Sequence, residues 1–379
     1  MPAIAAAAFA LALLVAGGAW WMHGRADPAA LAESEARAGR WPEALRAWRA
    51  VNATPRARGS THLAEARACL KLDLAAQAEV ALRRATEVGP SDPDAWRTWL
   101  DLLRVEERPL DALEVGWAAY LAVPPASRRE ILRAMTLALL AAPPEDLVRE
   151  TLYRWSLADP ADLDARSALD RAITDAPRGD DPGRPDRIAE LSALLERAPG
   201  HVGLREALII DLAEAGEPDR GRALLDAWPE ARRDARYQRL KGRWDLEYDR
   251  RPDRAVAAFE SSLVPLPHDV RTWYRLARAL ANAGQPAAAR TAAARISALR
   301  ELLDPIPLGR RLAADLKRPD DPETMRDLAS LCRAVGLARL ADAWDLEASN
   351  APATGLTAEP GAPTMTPGDV RKQAGGGRY

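Results

Sequence analysis

Cysteine is nearly absent, with two in 379 residues. That excludes a disulfide scaffold and a four-cysteine zinc site. Four histidines, none within ten residues of another, exclude a histidine-rich metal site. Lysine supplies four of the 53 basic residues, Lys71, Lys241, Lys317 and Lys372, and the rest are arginine. With so much alanine, this is the mark of a GC-rich coding bias. Phenylalanine is down to two against twelve tryptophans. No charge sign dominates: the formal net charge is −2, so no overall field favours nucleic acid. No phosphate loop, nucleophile elbow, dinucleotide fingerprint or HExxH is present. What is there is ordinary for a globular chain, 48% hydrophobic and 28% charged, and long enough to bury a large core.

Pro2 to Met22 carry no charge over 21 residues, about the length of a spanning helix. Trp20 and Trp21 close the stretch where an aromatic belt would meet headgroups. Residues 1–24 are therefore expected to be a transmembrane anchor in the lipid bilayer, or a signal segment cleaved after Gly17-Gly18-Ala19. Arg25, Arg37 and Arg40 follow the stretch and no basic residue precedes it, which by the positive-inside rule puts the bulk in the cytoplasm. An apolar segment starting at residue 2 is also where export signals sit. The expectation leans to a single-pass membrane protein with its repeats on the extracytoplasmic, periplasmic side, the cytoplasmic side staying open.

The body is periodic. Three gapless windows of 34 residues start at Arg25, Gly59 and Pro93. Position 20 is Ala44, Ala78 and Ala112, position 8 is Ala32, Ala66 and Leu100, and Pro90 and Pro124 stand at position 32. A later copy from Val270 places Trp273 at 4, Leu276 at 7, Ala277 at 8, Leu280 at 11, Gly284 at 15 and Ala289 at 20. Ala255 precedes Ala289 by one period, which sets the window before at Arg236. Weaker copies fill the middle, with a Gly-, Pro- and Asp-rich surface insertion at 175–184, and a last copy starts near Pro322. About nine repeats occupy 25–349.

This pattern resembles the tetratricopeptide repeat family, whose period is 34 residues. The resemblance implies an all-α fold: a right-handed superhelical solenoid of antiparallel helix pairs. Small residues at positions 8 and 20 let the helices approach closely, and proline ends the second helix. Residues 350–379, rich in Pro, Gly and Thr, are expected to be a disordered tail. Cys69 and Cys332 both fall at core position 11, and in a solenoid distant repeats do not meet, so two separate buried thiols are expected. Trp48, Trp96, Trp273 and Trp344 fall at core positions. In Ser91-Asp92-Pro93-Asp94 a helix cap is expected.

The repeats leave no room for a separate catalytic fold, so a non-enzymatic chain without cofactor or metal is expected. Family resemblance implies that positions 2, 5, 9, 12 and 13 of each first helix face a concave groove. The candidate partner-binding residues are therefore Arg67 and Lys71, then Arg97, Asp101 and Arg104, then Arg271, Tyr274, Arg278 and Asn282, with Trp244 and Tyr248 from the window before. Arginine with aromatics suits an extended peptide or a carboxylate terminus. The expected function is a membrane-tethered scaffold for a protein or peptide partner, with no nucleic acid. The alternative is an exported soluble repeat protein that binds peptide or carbohydrate after signal cleavage.

Overall fold

The computed structural model describes residues 27–141, 143–174, 181–315, 318 and 320–351. The expected anchor at 1–24, positions 175–180 of the insertion and the tail from 352 lie outside the described residues. Within them the chain forms 19 α-helices and no strand. No helix among them is long and apolar enough to cross a membrane.

Helix pairs follow the period. The first three are α1 (Pro28–Arg37) with α2 (Trp41–Asn52), α3 (Gly59–Lys71) with α4 (Ala75–Val88), and α5 (Pro93–Val105) with α6 (Pro109–Ala122). α7 (Arg128–Leu140) and α8 (Glu145–Ala158) follow, then α9 (Leu163–Thr174), α10 (Arg184–Arg197), α11 (Val202–Glu214) and α12 (Pro218–Asp226). α13 (Ala235–Glu247) pairs with α14 (Pro252–Leu263), and α15 (Val270–Asn282) with α16 (Pro286–Leu302). α17 (Pro305–Asp315) stands alone before α18 (Pro322–Val335) and α19 (Ala338–Asn350).

The helices begin and end for local reasons. Asp27, Asp92, Asp234, Asp269 and Asp321 each precede a first helix and accept from its free N–H groups. Asp92 takes the Asp94 N–H at 3.0 Å, the cap its sequence context implies. Seven of the pairs turn through one left-handed residue. Counted from 25, 59, 93, 202, 270 and 322, position 15 is Gly39, Asp73, Glu107, Gly216, Gly284 and Gly336, all with positive φ. The turn after α13 differs: its left-handed residue, Arg250, is position 16 counted from Ala235. That turn carries one extra residue.

The alanines at positions 8 and 20, Ala32, Ala66, Ala44, Ala78 and Ala112, are buried. Tryptophan at position 4 repeats one hydrogen bond. Trp96 Nε1 donates to the Pro90 carbonyl at 2.8 Å, and Trp273 Nε1 to that of Pro267 at 2.9 Å, tying each repeat to the proline that ends the one before. Gly242, position 8 of its repeat, shows why small residues are needed: a Cβ there would lie 2.7 Å from Phe259 Cε1, in a ring with no exposed surface. Gly242→Val is expected to cost about 1–3 kcal/mol by overpacking. Urea unfolding checks this, and Phe259→Leu in the same chain should recover part of the loss.

The array is not an open solenoid. Helices α1–α7 stack regularly, but α8 does not pack along α7. Instead α8 packs with α9, and α9 lies against α4, where Asp162 Oδ2 accepts the Ala76 N–H at 2.9 Å. From there a second stack runs to the last repeat, and α19 comes back onto α7. Trp344 Nε1 donates to Thr136 Oγ1 at 3.1 Å, Tyr120 Oη donates to Glu347 at 3.3 Å, and Arg129 pairs with Asp320 at 2.8 Å. One continuous core joins Ala32 through Leu169 to Leu299 through Ala348. The expectation that distant repeats do not meet therefore fails: a helix bundle closes when its last apolar face finds the uncovered face of α7. Cys69 and Cys332 nevertheless stay apart as free, buried thiols. Burial pushes them up to about 11 and about 12.

Candidate functional site

Closure leaves a lumen between the α5–α6 turn and the first helices of the second stack. Two cavities lie there, of about 230 and 130 Å³, and Arg171, Arg239 and Arg271 line both. Counted from the first residue of each helix, most of the linings from α9, α11 and α13 follow one rule, Ala235 and Leu240 apart. From α9 come Asp164, Ser167, Arg171 and Thr174, and from α11 Gly203, Glu206, Ile210 and Glu214. From α13 come Arg236, Arg239 and Arg243. These are positions 2, 5, 9 and 12 or 13, the inner-face positions that the family pattern implies.

Counting from Ala235 instead of Arg236 corrects one assignment. Trp244 does not face the groove. It has no exposed surface, its Nε1 donates to the Pro218 carbonyl at 3.2 Å, and its ring lies over Gly221. The extra residue in the α13–α14 turn shifts the helix by one position relative to Ala255. Position 9 is therefore Arg243, and the aromatic beside it is core. Tyr248, at the end of α13, packs on Trp244 with ring centroids 5.2 Å apart.

The other candidates fall in different places. In the first stack Arg67 pairs with Asp94 at 3.0 Å, and Arg97 bridges Asp94 at 3.2 Å and Glu130 at 3.0 Å. Arg97 and Asp101 line a separate cavity of about 380 Å³ with Arg129 and Arg133. Arg104 pairs with Asp101 at 3.6 Å, and Lys71 is exposed. In the second stack Arg271 lines the lumen. Arg278 pairs with Glu247 at 3.1 Å, Tyr274 Oη accepts from Arg300 at 3.0 Å, and Asn282 is exposed. Tyr274 thus faces its own second helix, and Arg275 takes the inward place. The sequence reading misses Arg171, Arg236, Arg239, Arg243 and Arg275. The one signal for three of them is the arginine spacing 236, 239, 243 itself.

Charge in the lumen is unevenly answered. In the larger cavity Asp164 sits 3.4 Å from His201 and 3.7 Å from Arg108. Burial alone would raise its carboxyl, but the hydrogen bond from His201 and the charge of Arg108 hold it down at about 2. Glu206 is fully enclosed and ion-paired to Arg239, which keeps it ionised against its burial. In the smaller cavity Arg243 is paired with Glu214 at 2.6 Å and Glu247 at 2.9 Å. Arg171 and Arg275 are different. Arg171 donates to neutral groups, the Glu106 carbonyl at 3.2 Å and Ser167 Oγ at 3.5 Å. Among the described residues neither Arg171 nor Arg275 is ion-paired, and the acids nearest in effect, Glu206 for Arg171 and Glu247 for Arg275, are paired to Arg239 and to Arg243 and Arg278. Burial first, then the neighbouring Arg243, lowers the pKa of Arg275. No group of histidine, cysteine, aspartate and glutamate fit to hold a metal occurs among the described residues. This arrangement is suited to holding negative charge.

The repeats are tetratricopeptide-like by their helix pairs, their spacing and their left-handed turns. No protein-family model and no curated protein matches the sequence. Solved structures similar to the chain include a tetratricopeptide repeat protein from Parabacteroides merdae, at 12% identity and TM-score 0.31, covering 66% of this chain and 96% of that one. The APC/C hetero-tetramer Cut9-Hcn1 is similar at 17% identity and TM-score 0.33, covering 86% of this chain and 66% of that one. A human IFIT1 dimer with m7Gppp-AAAA is similar at 13% identity and TM-score 0.32, covering 82% and 68%.

Proposed function

We propose that this chain is a non-enzymatic binding scaffold that seats an acidic segment of a partner protein in its lumen. The observation that carries the reading is the excess of arginine on the inner face of the second stack. The first stack answers its own inner-face charges through the Arg67, Asp94, Arg97 and Glu130 ladder. The second stack leaves Arg171 and Arg275 for a ligand. Concave surfaces of stacked helix pairs are where repeat proteins bind, and guanidinium forks match carboxylates. In this reading the uncharged stretch Pro2–Met22 tethers the scaffold to the bilayer with the repeats on the extracytoplasmic side.

Crosslinked capture from solubilised membranes tests it, comparing wild type with the triple variant Arg171→Gln, Arg271→Gln, Arg275→Gln. Wild type is expected to capture a defined partner, and the variant to lose it. Each lost charge-assisted bond should cost about 1.5–3 kcal/mol, so together they abolish retention. Identical capture by both chains overturns the lumen as the site. The intact mass of the mature chain decides the tether: loss of about the first 19 residues replaces the anchor with an exported, soluble form.

A further inference from the structure

The smaller lumen cavity has its own chemistry, and resting on the lumen reading above, we infer that it is a site for a phosphoryl group. Its volume of about 130 Å³ matches about four waters, the room that a five-atom oxyanion, free or at the end of a side chain, fills. Arg171, Arg239, Arg243, Arg271 and Arg275 line it, and Glu214 is the one acid among the lining residues. Glu214 is committed to Arg243 at 2.6 Å. Arg171 and Arg275 both line it, and among the described residues neither makes an ion pair: Asp164, Asp170 and Glu206 act on Arg171, and Glu247 and Asp269 on Arg275, from longer range. A carboxylate ligand brings one negative charge and leaves the second cation unanswered. A phosphate monoester brings about −1.5 to −2 near neutral pH, with three acceptor oxygens for forked donors.

The sign of a substitution separates ligand binding from a structural role. A structural arginine stabilises the empty fold. Arg275 faces Arg243 and Arg239 without a bonded acid, so Arg275→Gln is expected to leave the melting temperature of the ligand-free chain unchanged or raised. The same variant should lose phosphate.

The experiment is a titration of the full chain in phosphate-free, low-salt buffer, read by calorimetry and by thermal unfolding. The probes are inorganic phosphate, a phosphoserine peptide and its unphosphorylated parent. Chloride at matched ionic strength is the control. Wild type is expected to release heat with phosphate and to melt at higher temperature as phosphate is raised. Arg275→Gln and, independently, Arg171→Gln should each weaken binding at least tenfold. Arg46→Gln on the outer surface should not. Binding of inorganic phosphate alone identifies a free small phosphate as the ligand, and tighter binding of the phosphopeptide than of its parent identifies a modified partner segment. No heat with any phosphate, equal binding by the lumen variants, or an equal effect of chloride each overturns the inference. If phosphate fails while arginine-dependent partner capture persists, only the phosphoryl site falls. If phosphate binds while capture fails, the protein-partner reading falls instead.

Discussion

Trp344→Ala is expected to destabilise the chain by about 3–5 kcal/mol and to loosen a helix 208 residues away in sequence. The indole is 1% exposed and sits in the core that joins α19 to α7. Its Nε1 donates to Thr136 Oγ1, whose own proton goes to the Leu132 carbonyl at 2.8 Å. Truncation opens a cavity beside Thr136 in the core shared by α7 and α19. In a linear array each repeat contacts only its neighbours, and damage to the last repeat stays there. In the closed chain the same change frees α7. Native-state hydrogen exchange distinguishes the two: in Trp344→Ala the amides of Arg128–Leu140 should lose protection together with those of α18 and α19. Glu347, bonded to Tyr120 and 3.6 Å from Arg129, lies in the same contact and should lose its hold with it. If α7 keeps its protection while α19 loses it, the closure is not a cooperative unit and the open solenoid returns.

The helix pairs are legible in the sequence because their determinants are local. Ala44, Ala78 and Ala112 mark close approaches, Asp92 marks a cap, and Pro90 and Pro267 mark ends that tryptophans then read. The closure is not legible, because nothing local encodes it. It depends on which apolar face stays uncovered after α8 turns away from α7, a comparison between segments some 200 residues apart. The lumen stands between these cases. Positions 2, 5 and 9 hold for α9, α11 and α13, whereas in α15 only position 2, Arg271, keeps to them. They misplace Trp244 only because one residue is added in the turn at Arg250, whose left-handed residue falls at position 16 instead of 15. Arg275 escapes the rule altogether: it takes position 6, and Tyr274 at position 5 turns to Arg300. What periodicity cannot supply is the pairing state of each arginine. Only the fold gives Arg97 two ion-paired acids, Asp94 and Glu130, and leaves Arg275 with Glu247 and Asp269 acting from longer range.

The second large effect comes from Arg108, in the turn that plugs the lumen. Its guanidinium faces Glu79 at 2.7 Å, Glu106 at 2.8 Å, Asp111 at 2.7 Å and Asp164 at 3.7 Å. Arg108→Ala is expected to cost about 3–5 kcal/mol, because it strands buried carboxylates. Four carboxylates converge on this cation; Arg83 also meets Glu79 and Arg236 also meets Asp111, each at 3.7 Å, whereas Glu106, the most buried, is paired with Arg108. Burial raises Glu106 from 4.5 to about 8, although Arg108 opposes the shift. Asp170 is raised to about 7 in the same way, by burial and then by Asp211. The folded chain thus holds protons that the unfolded chain has released, and stability falls as pH rises toward 8. Buried His62 and His268 act in the opposite direction, since burial lowers both below 6.5 and the unfolded chain takes up their protons in acid. Near pH 6.5 the unfolded histidines are still about half charged, so their opposing effect fades only toward about pH 7.5, above which the carboxyls act alone. Wild-type stability is therefore expected to drop by about 2 kcal/mol between pH 6.5 and 8, at up to 1.36 kcal/mol per unit for Glu106. Glu106→Gln keeps the shape and the hydrogen bond to Arg108 but has no proton to lose. It should flatten most of that slope and exceed wild type in stability at pH 8. Urea midpoints at pH 6.5 and 8 for both chains check it. A flat wild-type profile, or an equal slope in the variant, would mean that Glu106 is ionised in the folded chain and that Arg108 answers all four acids.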